Sequence, residues 1–293
     1  MLTDHTAVPV PNGVNRDPLT LLQEARERQM KRPEIIEQLG MSPTLNEYGF
    51  VFDKRSPILD SFIQNEGQPG KRLFEIGSGF GRTAIECLRR GVAEYVANDL
   101  CEDHLRLLML RLHEEGGMDD GLDLSALKLL VGRVPEALPL RKDYFDAILI
   151  DKVIHFLKPE EIPIFFKWAL QGLKEGGRLY LLTISPFISV YREKVLPLYL
   201  KRKEEGDPYP GYFPNFHELY EREPIADLPT PKAFLFFDLD ELRRICEAAQ
   251  FKVVRSYSLI SPNPSDHVWM EVPPEEAYHV AFILEKPFAT PKA

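Results

Sequence analysis

Between residues 71 and 184, short apolar runs alternate with longer segments in which apolar side chains recur at helical spacing. The short runs predict buried strands, and the longer segments predict helices that bury one face. The predicted strands are residues 72–76, 94–98, 127–131, 144–150 and 178–184, and the predicted helices are 82–90, 104–113 and 159–173. This alternation predicts a parallel sheet with helices on both faces and a ligand beyond the carboxyl ends of the strands.

The pattern changes outside this region. Residues 1–20 are polar and proline-rich, which predicts a loose arm. Residues 18–39 predict a helix that is broken near Pro33. After residue 186 the alternation stops, and residues 207–214 form a loop rich in proline and aromatic side chains. Regular patterns return with a helix at 238–249 and two strands at 252–260 and 278–285. The connection between these two strands has no helical pattern, which predicts an antiparallel pair.

Composition and charge narrow the function by exclusion. The 293-residue chain is 44% hydrophobic and 28% charged, which is typical of a globular protein. Its formal charge of −9 argues against nucleic acid as a partner, because phosphate binding needs clustered basic side chains. Three widely spaced cysteines exclude a disulfide framework, give no zinc motif and favour the cytoplasm. We find no signal peptide and no run of about 18 apolar residues, so we expect no membrane partner.

The segment that joins the first predicted strand to the first predicted helix carries the clearest chemical signal. Gly77 and Gly79 allow a ligand to approach the backbone, and the helix N-terminus supplies free N–H groups. The third glycine, Gly81, comes one position earlier than in the dinucleotide fingerprint, and Arg82 follows it. Glu75 offers a carboxylate to a ligand ammonium group. The alternative is a turn that serves only the fold.

Polar residues also follow the other predicted strands. Asp99 ends the second strand, where a carboxylate can accept both hydroxyls of a ribose. Arg133 and Val134 follow the third strand, where an adenine edge would lie against the backbone. Asp151 ends the fourth strand. Because carboxyl ends of parallel strands share one edge of a sheet, we expect these residues to line one cleft.

In this order and spacing, the chain resembles the class I S-adenosylmethionine-dependent methyltransferases. The resemblance runs over residues 71–185 and more loosely over 238–285. It rests on the segments 75–81, 98–99, 145–151, 173–179, 238–242 and 248–251. Gln250 replaces the glycine that the family usually has in the last of these. The resemblance implies an α/β fold: a three-layer αβα Rossmann-like methyltransferase sheet, mostly parallel, with an antiparallel last strand.

The resemblance also implies S-adenosylmethionine as the cofactor, S-adenosylhomocysteine as the product, and no metal. The implied cofactor-binding residues are Glu75, Gly77, Ser78, Gly79, Phe80, Gly81, Asp99, Leu100, Arg133, Val134, Asp151 and Lys152. Asp99 would hold the ribose, and Leu100 would lie on the adenine face. Asp151 and Lys152 would lie near the amino-acid moiety and the mouth of the acceptor site.

We divide the chain into four segments on this basis. Residues 1–70 are an N-terminal arm and helical cap, and residues 71–186 are the cofactor-binding half of the methyltransferase domain. Residues 187–236 are an inserted substrate or lid segment. Residues 237–293 supply the closing helix and the last two strands of the same domain.

His155 and Asp151 are the candidate catalytic residues. The chain lacks the Asn/Asp-Pro-Pro-aromatic motif that amino-directed nucleic-acid and glutamine methyltransferases have after this strand, which argues against those acceptors. His155 has an ordinary pKa near neutrality and is a candidate base for a protonated nucleophile. The alternative is a packed or capping histidine.

Aromatic residues provide candidate acceptor contacts. Tyr209, Tyr212 and Phe213 in the inserted segment can exclude water and contact an apolar substrate. Tyr48 precedes the sheet and can close over the cofactor, where an aromatic face near a sulfonium is favourable. The alternatives are a self-packed loop, a contact within a homodimer, and ordinary core packing.

The sequence favours a methyltransferase with a small-molecule acceptor. A protein or peptide acceptor is the first alternative, since an acidic surface can hold a basic segment. A nicotinamide dehydrogenase is disfavoured by the early third glycine and by Arg82. An inactive protein that keeps the cofactor pocket is the remaining alternative.

Overall fold

The computed structural model describes residues 12–36, 40–46, 49–52, 55–115, 121–139, 141–219, 231–260 and 269–289. The strands within these ranges are β1 (Val14–Arg16), β2 (Met41–Pro43), β3 (Phe50–Phe52), β4 (Arg72–Ile76), β5 (Glu94–Asp99), β6 (Leu127–Val131), β7 (Phe145–Asp151), β8 (Leu173–Ile184), β9 (Tyr212–Phe213), β10 (Phe234–Leu235), β11 (Lys252–Ile260), β12 (Met270–Glu271) and β13 (His279–Glu285). The α-helices are α1 (Pro18–Glu27), α2 (Pro57–Glu66), α3 (Arg82–Arg89), α4 (Glu102–Glu114), α5 (Glu161–Gly172), α6 (Arg192–Glu204), α7 (Phe216–Leu219) and α8 (Leu239–Ala248).

A single large sheet organises the described part of the chain. Its nine strands lie in the order β1-β6-β5-β4-β7-β8-β13-β11-β12. The strands β6, β5, β4, β7 and β8 are parallel, whereas β13 is antiparallel to both β8 and β11. The predicted mostly parallel sheet with an antiparallel last strand is therefore confirmed. From β4 the chain first adds β5 and β6 on one side and then crosses over to add β7 and β8 on the other side. Open α/β sheets bind ligands at a switch point of this kind.

Helices cover both faces of the sheet and complete the three layers. On one face, α1, α2 and α4 bury Leu21, Phe62 and Leu108 in one apolar cluster. On the other face, α5 and α8 bury Phe166 and Leu242 in a second cluster. The removal of these side chains from water drives the packing of the layers. Within the residues that the structure describes, no helix has the length and apolar character of a membrane span.

The N-terminal region differs from its prediction in two respects. Part of the expected loose arm is a strand, because Val14 pairs with Val131 and extends the sheet by one antiparallel strand. The expected helix at 18–39 is only α1, which Asp17 caps by accepting the N–H of Thr20 and which ends at Glu27. The predicted continuation is wrong: Gln29 takes a φ of +49° just after the end of α1, and residues 30–36 are not helical. Residues 37–39 lie outside the described residues.

The segment at 187–236 contains more regular structure than its sequence predicts. It contributes α6, α7 and the antiparallel pair β9–β10. Four phenylalanines and a valine form a third apolar cluster inside it: Val195, Phe213, Phe216, Phe234 and Phe236. Pro197 lies within α6, and an internal proline normally predicts the end of a helix. The sequence pattern therefore concealed this helix.

Candidate active site

The glycine-rich loop between β4 and α3 is held tightly against its neighbours. The N–H groups of Gly77 and Ser78 both donate to the carbonyl of Asn98 at 2.9 Å. Gly77 has a φ of +71°, and a Cβ at this position would lie 2.3 Å from Cγ2 of Val153. A side chain at Gly77 is therefore excluded both by backbone conformation and by space. The loop can stay close to the strand ends only with glycine there.

Three carboxyl groups meet beside this loop on one face of the sheet. Glu75, Asp99 and Asp151 come from the neighbouring strands β4, β5 and β7. Side chains alternate between the faces of a strand. Leu73, Ala97 and Leu149 each lie two residues earlier, and all three belong to the cluster under α1–α4. Glu75, Asp99 and Asp151 therefore face that same side, at the edge where the sheet order predicts a ligand.

Asp99 is fixed in orientation by donors from three segments of the chain. Its Oδ2 accepts the N–H of Gly79 at 2.9 Å, and its Oδ1 accepts the N–H of Cys101 at 2.9 Å. Nδ1 of His104 lies 3.0 Å from Oδ1, while its Nε2 accepts the N–H of Leu45 at 3.0 Å. A carboxylate has about four lone-pair positions. Asp99 thus retains acceptor capacity for a ribose hydroxyl although it already anchors the loop.

Glu75 lies deep in the site and is uncharged at neutral pH. Its Oε2 accepts the hydroxyl of Tyr95 at 2.7 Å. Burial, together with the nearby charges of Asp151 and Asp99, raises the pKa of Glu75 to about 8, although the hydrogen bond from Tyr95 opposes this shift. A cationic group placed beside Glu75 would favour the carboxylate. The arrangement suits the ammonium group of an amino-acid moiety.

Ser78 provides an independent indication that the loop holds a polar ligand. Its Oγ is buried and has no hydrogen-bond partner among the described residues. A buried polar atom without a partner is costly in a folded protein. Together with the carboxyl groups and the close-lying loop backbone, this atom makes a donor and acceptor set that fits S-adenosylmethionine.

Asp151 and Lys152 form an ion pair at the end of β7. Nζ of Lys152 lies 2.9 Å from both carboxylate oxygens of Asp151. The same Nζ lies 4.5 Å from the ring centroid of Phe52, in the cap strand β3. Lys152 has a φ of +56°, which non-glycine residues seldom adopt. The ion pair and the ring contact therefore connect the end of β7 to the N-terminal cap.

The other predicted cofactor residues contact several different elements of the fold. Phe80 is buried edge-on against His104, with 5.4 Å between the ring centroids. Leu100 is 48% exposed and so leaves an apolar surface free beside Asp99.

Arg133 makes a bidentate pair with Glu161 of α5, at 2.7 and 2.8 Å. Val134 is buried in the second apolar cluster, and Gly81 has a φ of +74° beside Leu108 of α4.

His155 is packed between aromatic rings. It is buried, its ring is stacked on Phe234 at a centroid distance of 4.6 Å, and Phe156 lies 4.2 Å away. Its Nδ1 lies 3.4 Å from Oγ1 of Thr183. Burial, with the nearby His279 and Lys152, holds the pKa of His155 well below its usual value. These contacts give His155 a packing role against the inserted segment, and its action as a base stays a prediction.

The aromatic residues predicted to contact an acceptor are placed differently from the expectation. Phe213 is buried inside the cluster of the inserted segment and lies under the guanidinium of Arg202, so it does not line an open surface. Tyr209 and Tyr212 are half-buried and pack on the second apolar cluster, which α5 and α8 form. The apolar cluster of the insertion therefore takes up the ring of Phe213, while the second cluster covers those of Tyr209 and Tyr212. Tyr48 lies outside the described residues.

Two histidines in the site carry no motif and were missed by the sequence analysis. His104 lies in the first turn of α4 and holds Asp99. His279 is the first residue of β13 and is buried. A side-chain alternation count along β13 would have placed His279 on the face of Ala281 and Ile283. This alternation gives the face of the sheet, but it shows that His279 lies near the site only once the pairing of β13 with β8 is known.

The sheet order and the loop define a Rossmann-like methyltransferase domain, and the comparisons with known proteins agree. Residues 74–181 match the family model described as a methyltransferase domain. A methyltransferase from Methanosarcina mazei is 19% identical and has a TM-score of 0.54, with 80% of this chain and 100% of that chain covered. A methyltransferase from Mesorhizobium loti is 15% identical with a TM-score of 0.51, over 78% and 96% of the two chains. No curated protein matches the chain.

Residues 74–181 therefore carry a methyltransferase domain, and the comparisons support a class I S-adenosylmethionine-dependent methyltransferase with S-adenosylmethionine as its cofactor. The bound cofactor supplies an electrophilic methyl group on a sulfonium. The protein's own contribution would be to hold and orient the ligand: we expect the loop backbone and Ser78 to lie against it, Asp99 to accept from the ribose hydroxyls, and Glu75 to face the ammonium end. Alignment of this kind supplies most of what a protein adds to group transfer from an activated donor.

Proposed function

We propose that this methyltransferase transfers the methyl group to a small-molecule acceptor. The observation that carries the proposal is the covering of the site from two sides. On one side, Val51 of the cap strand β3 lies over the loop, with its Cγ2 3.3 Å from the position that a Cβ on Gly79 would take. On the other side, the inserted segment contacts the site where the ring of Phe234 stacks on His155.

These two covers leave an acceptor to bind between the cap, the end of β7 and the inserted segment. A covered site of this kind suits a small molecule, because an extended peptide needs an open groove along the protein surface. Exclusion of water around the reacting groups also strengthens each electrostatic contact in the site. The absence of the Asn/Asp-Pro-Pro-aromatic motif supports the same proposal.

The experiment is transfer of a tritium-labelled methyl group from S-adenosylmethionine into an extract separated by molecular size. We expect label in the small-molecule fraction, and we expect Asp99→Ala to abolish it. Asp143→Asn is the matched control, because Asp143 is an exposed carboxylate at the opposite edge of the sheet and asparagine tolerates its positive φ. Label confined to protein or peptide would reject the small-molecule acceptor.

A further inference from the structure

A fourth polar side chain lies on the same face of the sheet as the three carboxyl groups. His279 begins β13 and pairs with Ile184 at the carboxyl end of β8. Ala281 and Ile283, two and four residues further along β13, belong to the apolar cluster under α1–α4, so His279 faces that side as well. Along this edge, the polar side chains therefore come in the order Asp99, Glu75, Asp151 and His279.

His279 is buried and incompletely bonded. Only 5% of the residue is exposed, and its Nδ1 has no hydrogen-bond partner in the described part of the chain. Native proteins pair nearly all buried polar groups. The mechanism described above does not use this nitrogen. A buried, unpaired nitrogen beside a ligand site indicates a group that is completed by the ligand.

Aromatic rings surround this imidazole. The ring of Trp269 is tilted against it at a centroid distance of 5.2 Å and an angle of 64°. Phe52 lies edge-on at 6.3 Å and 83°. Phe52 also contacts Nζ of Lys152 with its face, at 4.5 Å from the ring centroid. Phe52 and Trp269 thus both contact the imidazole, and the ammonium group of Lys152 lies over the ring of Phe52.

The charges around His279 favour an oxygen nucleophile. Burial and the charge of Lys152 lower the pKa of His279 to about 3, so the imidazole is uncharged at neutral pH. A neutral imidazole has one donor and one acceptor nitrogen, and it can bond to a hydroxyl or to an oxyanion. Lys152 favours an anion nearby, as does the sulfonium of the bound cofactor.

We propose that His279 and Lys152 recognise the acceptor, and that the acceptor is an aromatic compound with an acidic hydroxyl group. The flat ring packs beside the imidazole, against Phe52 and Trp269, and the hydroxyl oxygen bonds to Nδ1 of His279. Lys152 stabilises the ionised oxygen, and the proton of the hydroxyl leaves to bulk water. This inference rests on the proposed small-molecule function and names its substrate class.

The experiment uses para-nitrophenol as the probe, since only its ionised form absorbs strongly in visible light. The full chain with saturating S-adenosylhomocysteine is titrated with the probe over a range of pH. We expect saturable binding and a lower apparent pKa for the bound probe than for the free one. Nitrobenzene, which lacks the hydroxyl, is the matched control and should bind at least about tenfold more weakly, the cost of one hydrogen bond to a charged group.

Variants of His279 separate recognition from folding. His279→Phe keeps an aromatic ring without the nitrogen. We expect it to lower the affinity for para-nitrophenol about tenfold or more, while S-adenosylhomocysteine still binds. His279→Asn, which restores a polar group, should recover part of the loss. Equal affinity of the probe for the wild type and His279→Phe would overturn the proposal. An unshifted pKa of the bound probe would also overturn it, without requiring any variant to fold.

A failure of this inference can be distinguished from a failure of the proposed function. Label transfer into the small-molecule fraction, measured on the same preparation, reports on the small-molecule acceptor alone. If that label appears and para-nitrophenol shows no saturable binding, the hydroxyl-bearing aromatic class is wrong and the proposed function stands. If label enters only protein, the proposed function is wrong, and this inference falls with it.

Discussion

Gly79 donates its backbone N–H to Oδ2 of Asp99 at 2.9 Å, so the glycine-rich loop and the end of β5 are joined directly. The same carboxylate accepts from Cys101 and contacts His104. Asp99 therefore anchors the glycine-rich loop, and we expect the same carboxylate to face the cofactor. Its removal should affect the cofactor affinity and the stability of the protein together.

We predict that Asp99→Ala lowers the affinity for S-adenosylhomocysteine by about a hundredfold or more. The reason is that hydrogen bonds to a charged group are lost both with the ligand and within the loop. Isothermal titration calorimetry measures this change, with Asp143→Asn as the control that should leave affinity unaltered. Unfolding in urea should also show a loss of stability for Asp99→Ala, of about 1–3 kcal/mol, since buried donors lose their acceptor. Unchanged affinity would remove Asp99 from the cofactor site.

The second prediction concerns the pH dependence that arises from Glu75. Its pKa is raised by burial from an ordinary value of 4.5 to about 8. Between these values the folded protein holds a proton that the unfolded chain has released. The stability due to this proton is present in full below pH 4.5 and is lost as the pH rises to about 8. Glu75→Gln should therefore flatten this part of the stability curve.

Glu241 is the matched control, because burial and the charge of Asp238 also raise its pKa to about 8. It lies between α8 and α6, where Tyr199 donates a hydrogen bond to it at 3.2 Å. Both Glu75→Gln and Glu241→Gln should reduce the loss of stability toward pH 8. Affinity for S-adenosylhomocysteine should rise with pH as Glu75 ionises, in the wild type and in Glu241→Gln. If Glu75→Gln keeps that rise, Glu75 does not face the ammonium group.

A third prediction compares two glycines with similar backbone conformations. Gly77 and Gly206 have φ values of +71° and +79°, but only Gly77 has a neighbour, Val153, in the space of a Cβ. Gly206→Ala should cost about 1 kcal/mol for the left-handed backbone alone. Gly77→Ala should cost more and should also prevent cofactor binding, because the loop must move away from Val153. Chemical denaturation and calorimetry measure both effects, and equal costs would contradict the close packing at Gly77.

Gln250 gives a stabilising substitution. It stands where the family usually has glycine, and it adopts a φ of +68° after the end of α8. A left-handed conformation costs a non-glycine residue about 1 kcal/mol, and glycine relieves this cost. Gln250→Gly should therefore raise the midpoint of thermal unfolding by a few degrees with no change in cofactor affinity. A lower midpoint would mean that the side chain of Gln250 contributes more than the strain costs.

The sequence identified the elements that local patterns specify. The ends of β4 and β6 and the turn at Gly77 could be predicted, because a short apolar run followed by glycines has few other structures available. The resemblance in residues 71–185 then supplied the mostly parallel sheet with its antiparallel last strand. These features depend on residues that are close together in the chain.

The rest depends on contacts between distant segments. The arm residue Val14 becomes part of a strand only because the edge of β6 is open to it. Phe213 is buried because Phe236 and other residues of the insertion gather around it. His279 became a site candidate only through the pairing of β13 with β8. No periodicity in the sequence could have indicated any of these contacts.

The most direct measurement is a crystal structure of the protein with S-adenosylhomocysteine bound. We predict that the ribose hydroxyls bond to Asp99, that the amino-acid end lies beside Glu75 and the glycine-rich loop, and that the sulfur faces Phe52 and Lys152. A ligand that bound elsewhere, or that left the Asp99 carboxylate without contact and turned its sulfur away from Lys152, would contradict this assignment of the active site.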